Sequence, residues 1–252
     1  MNSDRSQKRN LESSAMSSTS TCSLCLEVKP LCRSHIIPEF CYKKTYDEKR
    51  RGRLLSTENP KVTYLQKGMR ERLLCTDCEQ RIGRFEKYFK EYWFDNHVLP
   101  EKVDSNCIFI NDADYKRFKL FHLSILWRAG VSRLKDFGSV CLGPYAEKLR
   151  KVVLTEEPGD EEEYPFWGQV IVNDFQMPEY GIVSCPYRTR LEKSHVYYLC
   201  YAGCEWVFIV TDHQGRGFGH TTIQRDGRMA LLPVPIRDMN TVKLFMRDRR
   251  RT

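Results

Sequence analysis

The sequence predicts an α+β fold in three successive parts: a cysteine-rich N-terminal module, a helical middle and a C-terminal antiparallel sheet. Two C-x-x-C pairs, separated by 49 residues, lie in the N-terminal third of the chain. Two stretches with the helical spacing of apolar residues follow, at 79–95 and 112–135. From Tyr164 onward, short segments rich in β-branched and aromatic residues alternate with turn residues, which is typical of antiparallel strands.

Composition sets the expected boundaries of these parts. Residues 1–20 are rich in Ser and Thr and nearly free of apolar side chains. Burial therefore cannot offset the entropy of ordering this segment, and we expect a disordered tail. We expect the cysteine-rich module at 21–96 and an α+β domain at 97–252. The helices of that domain fall within 112–150 and its sheet within 164–240.

Charge is distributed unevenly along the chain. The first 150 residues carry 28 Lys and Arg against 19 Asp and Glu, whereas the next fifty carry 4 against 9. A basic N-terminal part favours a polyanion such as nucleic acid as the partner, although an ordinary solvated surface has the same composition. There is no run of about 18 apolar residues and no apolar core of a signal peptide, so we expect a cytoplasmic protein without membrane contact.

The cysteine spacing predicts a metal site. Each C-x-x-C pair can place two thiolates on one tetrahedral ion, and in a reducing cytosol such pairs indicate metal binding rather than disulfides. We therefore expect one structural zinc ion with four ligands: Cys22, Cys25, Cys75 and Cys78. Cys32 and Cys41 lie between the two pairs and could replace one of these ligands.

The predicted helices follow the second cysteine pair. The stretch 79–95 places Ile82, Phe85 and Phe89 on one apolar stripe. A cysteine knuckle, a hairpin and a second knuckle at the start of a helix form a treble clef. The stretch 112–135 predicts a largely buried helix with Asn111 or Asp112 as its N-cap. A short third helix is expected at 140–150.

The strands of the C-terminal sheet are predicted from four segments: WGQVIV, YGIVSC, HVYYLCYA and EWVFIVTD. A fifth segment, MALLPVPI, contains two prolines. Proline cannot donate to a ladder, so we expect this segment at an edge of the sheet.

Two motifs carry a resemblance to a known family. Beginning eight residues after Cys25, the chain reads Arg33-Ser34-His35-Ile36-Ile37-Pro38, and the second pair lies in Leu73-Leu74-Cys75-Thr76-Asp77-Cys78-Glu79. Over about 22–90, this order resembles the zinc-containing HNH (His-Me finger, ββα-metal) endonucleases, in particular uncharacterised prokaryotic proteins with SHIIP and LLCxxCE motifs. The resemblance implies hydrolysis of phosphodiester bonds in DNA or RNA, in a setting such as phage defence, with Mg or Mn as the catalytic ion.

The resemblance also implies roles for individual residues. His35 takes the position of the general base that activates water. Glu79 stands where the family has a metal-binding histidine, and Glu86 lies on the same helical face seven residues later, so both are candidates to hold the catalytic metal. The alternatives are a structural histidine, a glutamate at the helix dipole, and a pair between Glu86 and an arginine such as Arg81 or Arg33.

Basic residues near the proposed site surround Tyr64. Basic side chains interleaved with an aromatic one suit the backbone of a nucleic acid. They are Arg33, Arg51, Arg53, Lys67, Arg70 and Arg72. A second hypothesis has no catalysis. In that case the zinc module is a catalytically degenerate scaffold, and the C-terminal sheet binds nucleic acid or a protein partner.

Overall fold

The computed structural model describes residues 19–46, 48, 52–54, 63–65, 68–104, 106–191, 194–210 and 219–248. Over these residues the fold is α+β, as the sequence predicts. Five helices are described: α1 (Glu39–Tyr42), α2 (Thr76–Lys90), α3 (Tyr115–Val131), α4 (Tyr145–Thr155) and α5 (Asn240–Asp248). The strands are β1 (Thr19–Thr21), β2 (Val28–His35), β3 (Gly52–Leu54), β4 (Thr63–Leu65), β5 (Arg70–Cys75), β6 (Ile108–Ile110), β7 (Phe166–Val172), β8 (Tyr187–Leu191), β9 (Ser194–Tyr201), β10 (Cys204–Val210) and β11 (Met229–Pro235).

The N-terminal part is built around a three-stranded antiparallel sheet, in the order β1-β2-β5. Most of the predicted disordered tail lies outside the described residues, but Thr19 and Ser20 belong to β1. The register of β2 and β5 skips Leu73, because Leu74 opposes Cys32 while Arg72 opposes Arg33. The strand β5 runs directly into α2, so β2, β5 and α2 form a ββα unit.

The helices begin at residues other than those predicted. The helix α2 starts at Thr76, within the second cysteine pair, and ends in a π-helical turn at Glu91–Asp95. The cap of α3 is Asp114 rather than Asn111 or Asp112, since the Asp114 carboxylate accepts a hydrogen bond from the Arg117 N–H at 2.9 Å. The predicted burial of α3 is confirmed: its side chains are buried from Phe118 to Ala129.

The C-terminal sheet is mixed, and the prediction of an antiparallel sheet is wrong in this respect. Its order is β6-β11-β7-β10-β9-β8, and β11 pairs with β7 in parallel. The proline-containing β11 is therefore internal rather than at an edge. It pairs with β6 over Met229–Leu231 and with β7 over Leu232–Pro235, so both prolines lie beyond the last residue paired with β6. On the side where β6 no longer pairs with β11, the missing N–H of a proline removes no hydrogen bond between strands.

Two further details of this sheet depend on local backbone geometry. Three of the four predicted strand segments correspond to β7, β9 and β10, but the YGIVSC segment forms no strand. The hairpin between β9 and β10 turns at Ala202 and Gly203, both with positive φ, at 55° and 78°. Two positive φ values match the twist of a tight hairpin, which explains the glycine.

One continuous apolar core connects the cysteine-rich part to the mixed sheet. Phe89 of α2 stacks on Phe121 of α3, with ring centroids 3.9 Å apart. Beyond them, the Trp93 indole N–H donates to the Ala202 carbonyl at 2.9 Å. None of the described helices is both long and apolar enough to cross a membrane.

A histidine lies inside this core. His122 is fully buried, its Nδ1 lies 2.6 Å from the Tyr201 hydroxyl, and its ring packs against Phe166 and Trp206. Burial lowers the pKa of His122 well below its ordinary value, so the folded protein keeps the ring neutral.

We expect this histidine to make stability depend on pH. Below about pH 6.5 the unfolded chain binds a proton that the folded state excludes, so stability falls as pH falls. Between pH 7 and 5.5 the free energy of unfolding should drop by about 1 kcal/mol from this residue. Urea unfolding of His122→Phe should lack this decrement, whereas Tyr201→Phe should keep it. An unchanged pH dependence in His122→Phe would contradict the assignment.

Candidate metal centre and basic face

The first cysteine pair lies in a tight turn before β2. The Leu26 N–H donates to the Cys22 carbonyl at 2.9 Å, and Leu26 takes a φ of 64°. The Ser23 N–H donates to the Leu73 carbonyl at 3.0 Å, which ties this turn to β5. The turn therefore holds Cys22 and Cys25 beside the strand that carries the second pair.

The second pair lies where β5 meets α2. Cys75 is the N-cap residue of α2 and Cys78 lies in its first turn. The four sulfur atoms all lie within 4.8 Å of one another, and the Cys25 and Cys75 sulfurs are 3.8 Å apart. A zinc ion with Zn–S bonds of about 2.3 Å requires sulfurs about 3.8 Å apart, so this group can hold a metal ion such as zinc.

Without a cation, the surroundings favour the thiolate at Cys22 but the neutral thiol at Cys25 and Cys78. Burial raises the pKa of Cys22, but the backbone N–H groups of Cys25, Cys75 and Leu24 more than offset it, and the net pKa is lowered. Burial raises the pKa of Cys25 and of Cys78. A divalent cation is the counter-charge that such a buried group of thiols requires for deprotonation.

A cation from the other half of the chain lies against the first knuckle. Arg150 of α4 donates to the Leu24 carbonyl at 2.5 Å, and two of its nitrogens bond to Glu147 at 2.7 and 2.8 Å. Because four thiolates and one divalent ion carry a net charge of −2, a guanidinium here would offset part of that charge.

The two alternative cysteine ligands lie outside this group. The sulfur of Cys32 lies 3.7 Å from the Thr76 hydroxyl, and Cys41 is buried near Glu86 and Arg128. Among the described residues, no other set of three or more His, Cys, Asp or Glu side chains brings its ligand atoms this close.

His35 is the last residue of β2. Its side chain is 23% exposed, and its Nε2 lies 3.9 Å from a carboxylate oxygen of Glu39 in α1. Its main-chain carbonyl accepts a hydrogen bond from Arg128 at 2.7 Å. The imidazole is thus partly open to solvent and has a carboxylate nearby.

Basic residues share the face of the hairpin on which His35 lies. Arg33 precedes His35 by two residues, so the two side chains point to the same face of the strand. Arg72 lies opposite Arg33, and Arg70 lies opposite His35. Arg33 and Arg72 are exposed, and Arg72 also donates to the Leu31 carbonyl at 3.0 Å. Like charges placed opposite each other repel, and a bound anion relieves this repulsion.

Three residues of the predicted nucleic-acid set cannot be compared with this face. Arg51 and Lys67 lie outside the described residues, and Arg53 is described by its backbone alone, in β3.

The two candidate glutamates of α2 differ in their surroundings. One carboxylate oxygen of Glu79 is buried and has no hydrogen-bond partner among the described residues. An oxygen of Glu86 forms an ion pair with Arg128 at 2.7 Å. The arginine is neither Arg81 nor Arg33: Arg81 pairs with Glu156, 2.8 Å away. Among the described residues, neither glutamate belongs with His35 to a group of three or more ligand atoms within 4.8 Å of one another.

The contacts that surround His35 were not predicted from the sequence. Glu39 follows His35 by four residues at the start of α1, and this spacing after Ile-Ile-Pro was a usable signal. Arg128 lies 93 residues from His35 in the chain, and no local pattern indicates that contact.

Comparison with known proteins identified no relative. No family model, no curated protein and no solved structure matches the chain.

Proposed function

We propose that the four cysteines bind one structural zinc ion, and that the zinc-stabilised ββα unit is an HNH-like, metal-dependent nuclease. The observation that supports this most is the placement of His35 at the end of β2, with a carboxylate beside it and arginines on the same face. The zinc fixes the start of β2 and the junction of β5 with α2. It thereby fixes the hairpin on which His35 lies.

In this proposal His35 is the general base. A neutral imidazole accepts a proton from water near pH 7, and a solvent-accessible ring can reach a phosphodiester on the hairpin surface. Glu39 lies 3.9 Å from the Nε2 of the ring, which is too long for a hydrogen bond but close enough for its charge to act on the imidazole. Arg33 and Arg72 bind the phosphates on either side.

Glu79 is the residue that fits a catalytic Mg²⁺ or Mn²⁺ best. Its buried oxygen, which has no partner in the described part of the chain, is the kind of ligand that Mg²⁺ prefers, and one or two carboxylates with substrate phosphates complete many such sites. When bound, the ion supplies charge stabilisation at the scissile phosphate. Glu86 fits this role less well, because Arg128 already holds one of its oxygens.

A second candidate function is binding without catalysis. It is favoured because His35, Glu79 and Glu86 do not form a common group of ligand atoms among the described residues. In that case the zinc unit is a scaffold, and the same arginine face binds nucleic acid or an acidic protein partner in the cytoplasm. The two functions differ in whether His35 is required for anything beyond binding.

Cleavage and binding by matched variants separate these functions. With Mg²⁺ or Mn²⁺ and plasmid DNA or single-stranded RNA, His35→Ala should lower the cleavage rate by about 10² to 10⁴-fold while its affinity for nucleic acid changes little. The exposed His220 supplies the control, and His220→Ala should cleave like the wild type. Binding without cleavage by the wild type would reject the nuclease and leave the binding module.

The basic face has a separate expected result. Replacing both Arg33 and Arg72 with alanine should weaken nucleic-acid binding and reduce the slope of log affinity against log salt by about 2. Fluorescence anisotropy at several salt concentrations measures this slope, with zinc content as the check on folding. An unchanged slope would place the nucleic acid elsewhere on the protein.

A further inference from the structure

A buried guanidinium joins three elements directly behind His35. Arg128 of α3 is 1% exposed. Its Nη1 donates to the His35 carbonyl and to Glu86 of α2, both at 2.7 Å. Its Nε donates to the Ser124 carbonyl at 3.2 Å, and its Nη2 lies 3.4 Å from the Ser124 hydroxyl. The end of β2, the middle of α2 and the last part of α3 therefore meet at one side chain.

This arrangement explains why a charge is tolerated in the core. A buried guanidinium requires a counter-charge and acceptors for its N–H groups, and Glu86 with the two carbonyls provides them. The carboxylate of Glu86 is 24% exposed and faces the cation rather than lying free for a metal ion. The ion pair thus has a structural reason that does not involve substrate.

The hydrogen bond from Arg128 to the His35 carbonyl also affects the orientation of the His35 side chain. A hydrogen bond to the main chain of a residue restricts the direction in which its side chain points. The donor here is fixed in turn by α3, which is buried along most of its length. A displacement of about 1 Å in a catalytic group can cost roughly 100-fold in rate.

We propose that Arg128 is a positioning residue, which holds the main chain of His35 so that the imidazole keeps its orientation on the hairpin face, and that Glu86 is the counter-ion of Arg128 rather than a metal ligand. The catalytic consequence rests on the proposed nuclease function, whereas the effect on His35 itself does not.

The main test removes both charges together. The double variant Arg128→Met with Glu86→Leu leaves no unpaired buried charge, and such replacements are often tolerated. It should retain zinc and bind nucleic acid within about twofold of the wild type, because the arginine face is untouched. Its kcat should fall between about 10-fold and 100-fold with little change in KM. Two-dimensional NMR of the His35 ring and the Ile36 amide should show shifted or broadened signals.

Two single variants complete the design. Arg128→Lys keeps the charge but not the forked donor geometry, so it should give an intermediate kcat and intermediate shifts. It also decides the question if the double variant does not fold. Arg81→Met removes another arginine of an ion pair, that with Glu156, and should leave the His35 signals and kcat unchanged.

The outcomes distinguish this inference from the proposed function. Wild-type kcat and wild-type His35 signals in both the double variant and Arg128→Lys would overturn the positioning role. A wild-type protein that cleaves nothing rejects the nuclease, but the NMR comparison still decides whether Arg128 positions His35. Loss of nucleic-acid affinity in the double variant, in parallel with kcat, would also overturn the inference, because it would assign Arg128 to general folding.

Discussion

Cys75→Ser is expected to release the zinc ion and unfold the N-terminal hairpin. Structural zinc contributes an apparent 10–16 kcal/mol, roughly, in small zinc modules, and this is comparable to the whole stability of an average domain. Cys75 is the last residue of β5 and the N-cap residue of α2, so its loss frees both elements at once. Elemental analysis should give about one zinc per wild-type chain and little in the variant. In NMR spectra of the variant, the amide signals of β2 and β5 should move to the positions of an unfolded chain.

Cys32→Ser is the matched control for that experiment. Cys32 is a half-buried cysteine on the same hairpin, but it lies outside the four-sulfur group. The Cys32→Ser protein should keep its zinc ion and the amide NMR signals of β2 and β5. A Cys75→Ser protein with full zinc, or a Cys32→Ser protein without it, would show that the ligand set is wrong.

The second large effect is expected at Glu205, a fully buried carboxylate on β10. It accepts hydrogen bonds from the Asn240 N–H and amide at 3.0 Å each, and from the Thr241 N–H and hydroxyl at 2.6 Å each. These donors begin α5, so Glu205 attaches that helix to the sheet. Glu205→Ala leaves them without the acceptor and should lower the free energy of unfolding by about 3 kcal/mol or more.

Urea unfolding and hydrogen exchange measure this effect. The amides of α5 should lose protection in Glu205→Ala before the rest of the sheet does, because the helix loses its main polar attachment. Asp226→Ala removes an exposed carboxylate that pairs with Arg228, and should change stability by no more than about 0.5 kcal/mol. Equal, small effects from both variants would contradict the role given to Glu205.

The features that the sequence predicted correctly are those with a short-range signal. The C-x-x-C spacing indicates two ligands at a time, and the four cysteine sulfurs do converge. The apolar residues of α3 are so dense that they predict a largely buried helix, and its side chains are buried from Phe118 to Ala129. A helix cap is harder to predict, because Asn111, Asp112 and Asp114 can all accept the same kind of hydrogen bond. In the structure the cap is Asp114, whose carboxylate accepts the Arg117 N–H.

The features that sequence analysis missed depend on distant partners. The parallel pairing of β11 with β7 joins Leu232 to Gln169, and no local pattern distinguishes it from an antiparallel pair. A pair between Glu86 and an arginine was among the alternatives, but the actual partner, Arg128, lies 42 residues away in the chain. The helical spacing placed Glu86 on the same face as Glu79. It could not identify which of the many arginines of a basic chain is the partner of Glu86.

X-ray absorption at the zinc edge of the purified protein tests the central claim most directly, since that claim is that four sulfurs from two distant segments bind one ion. The account predicts one zinc per chain, with four sulfur neighbours at about 2.3 Å and no nitrogen or oxygen in the first shell. A shell that contains nitrogen or oxygen, or a protein that retains no zinc after purification, would contradict it. In either case there would be no zinc ion to fix the hairpin on which His35 lies.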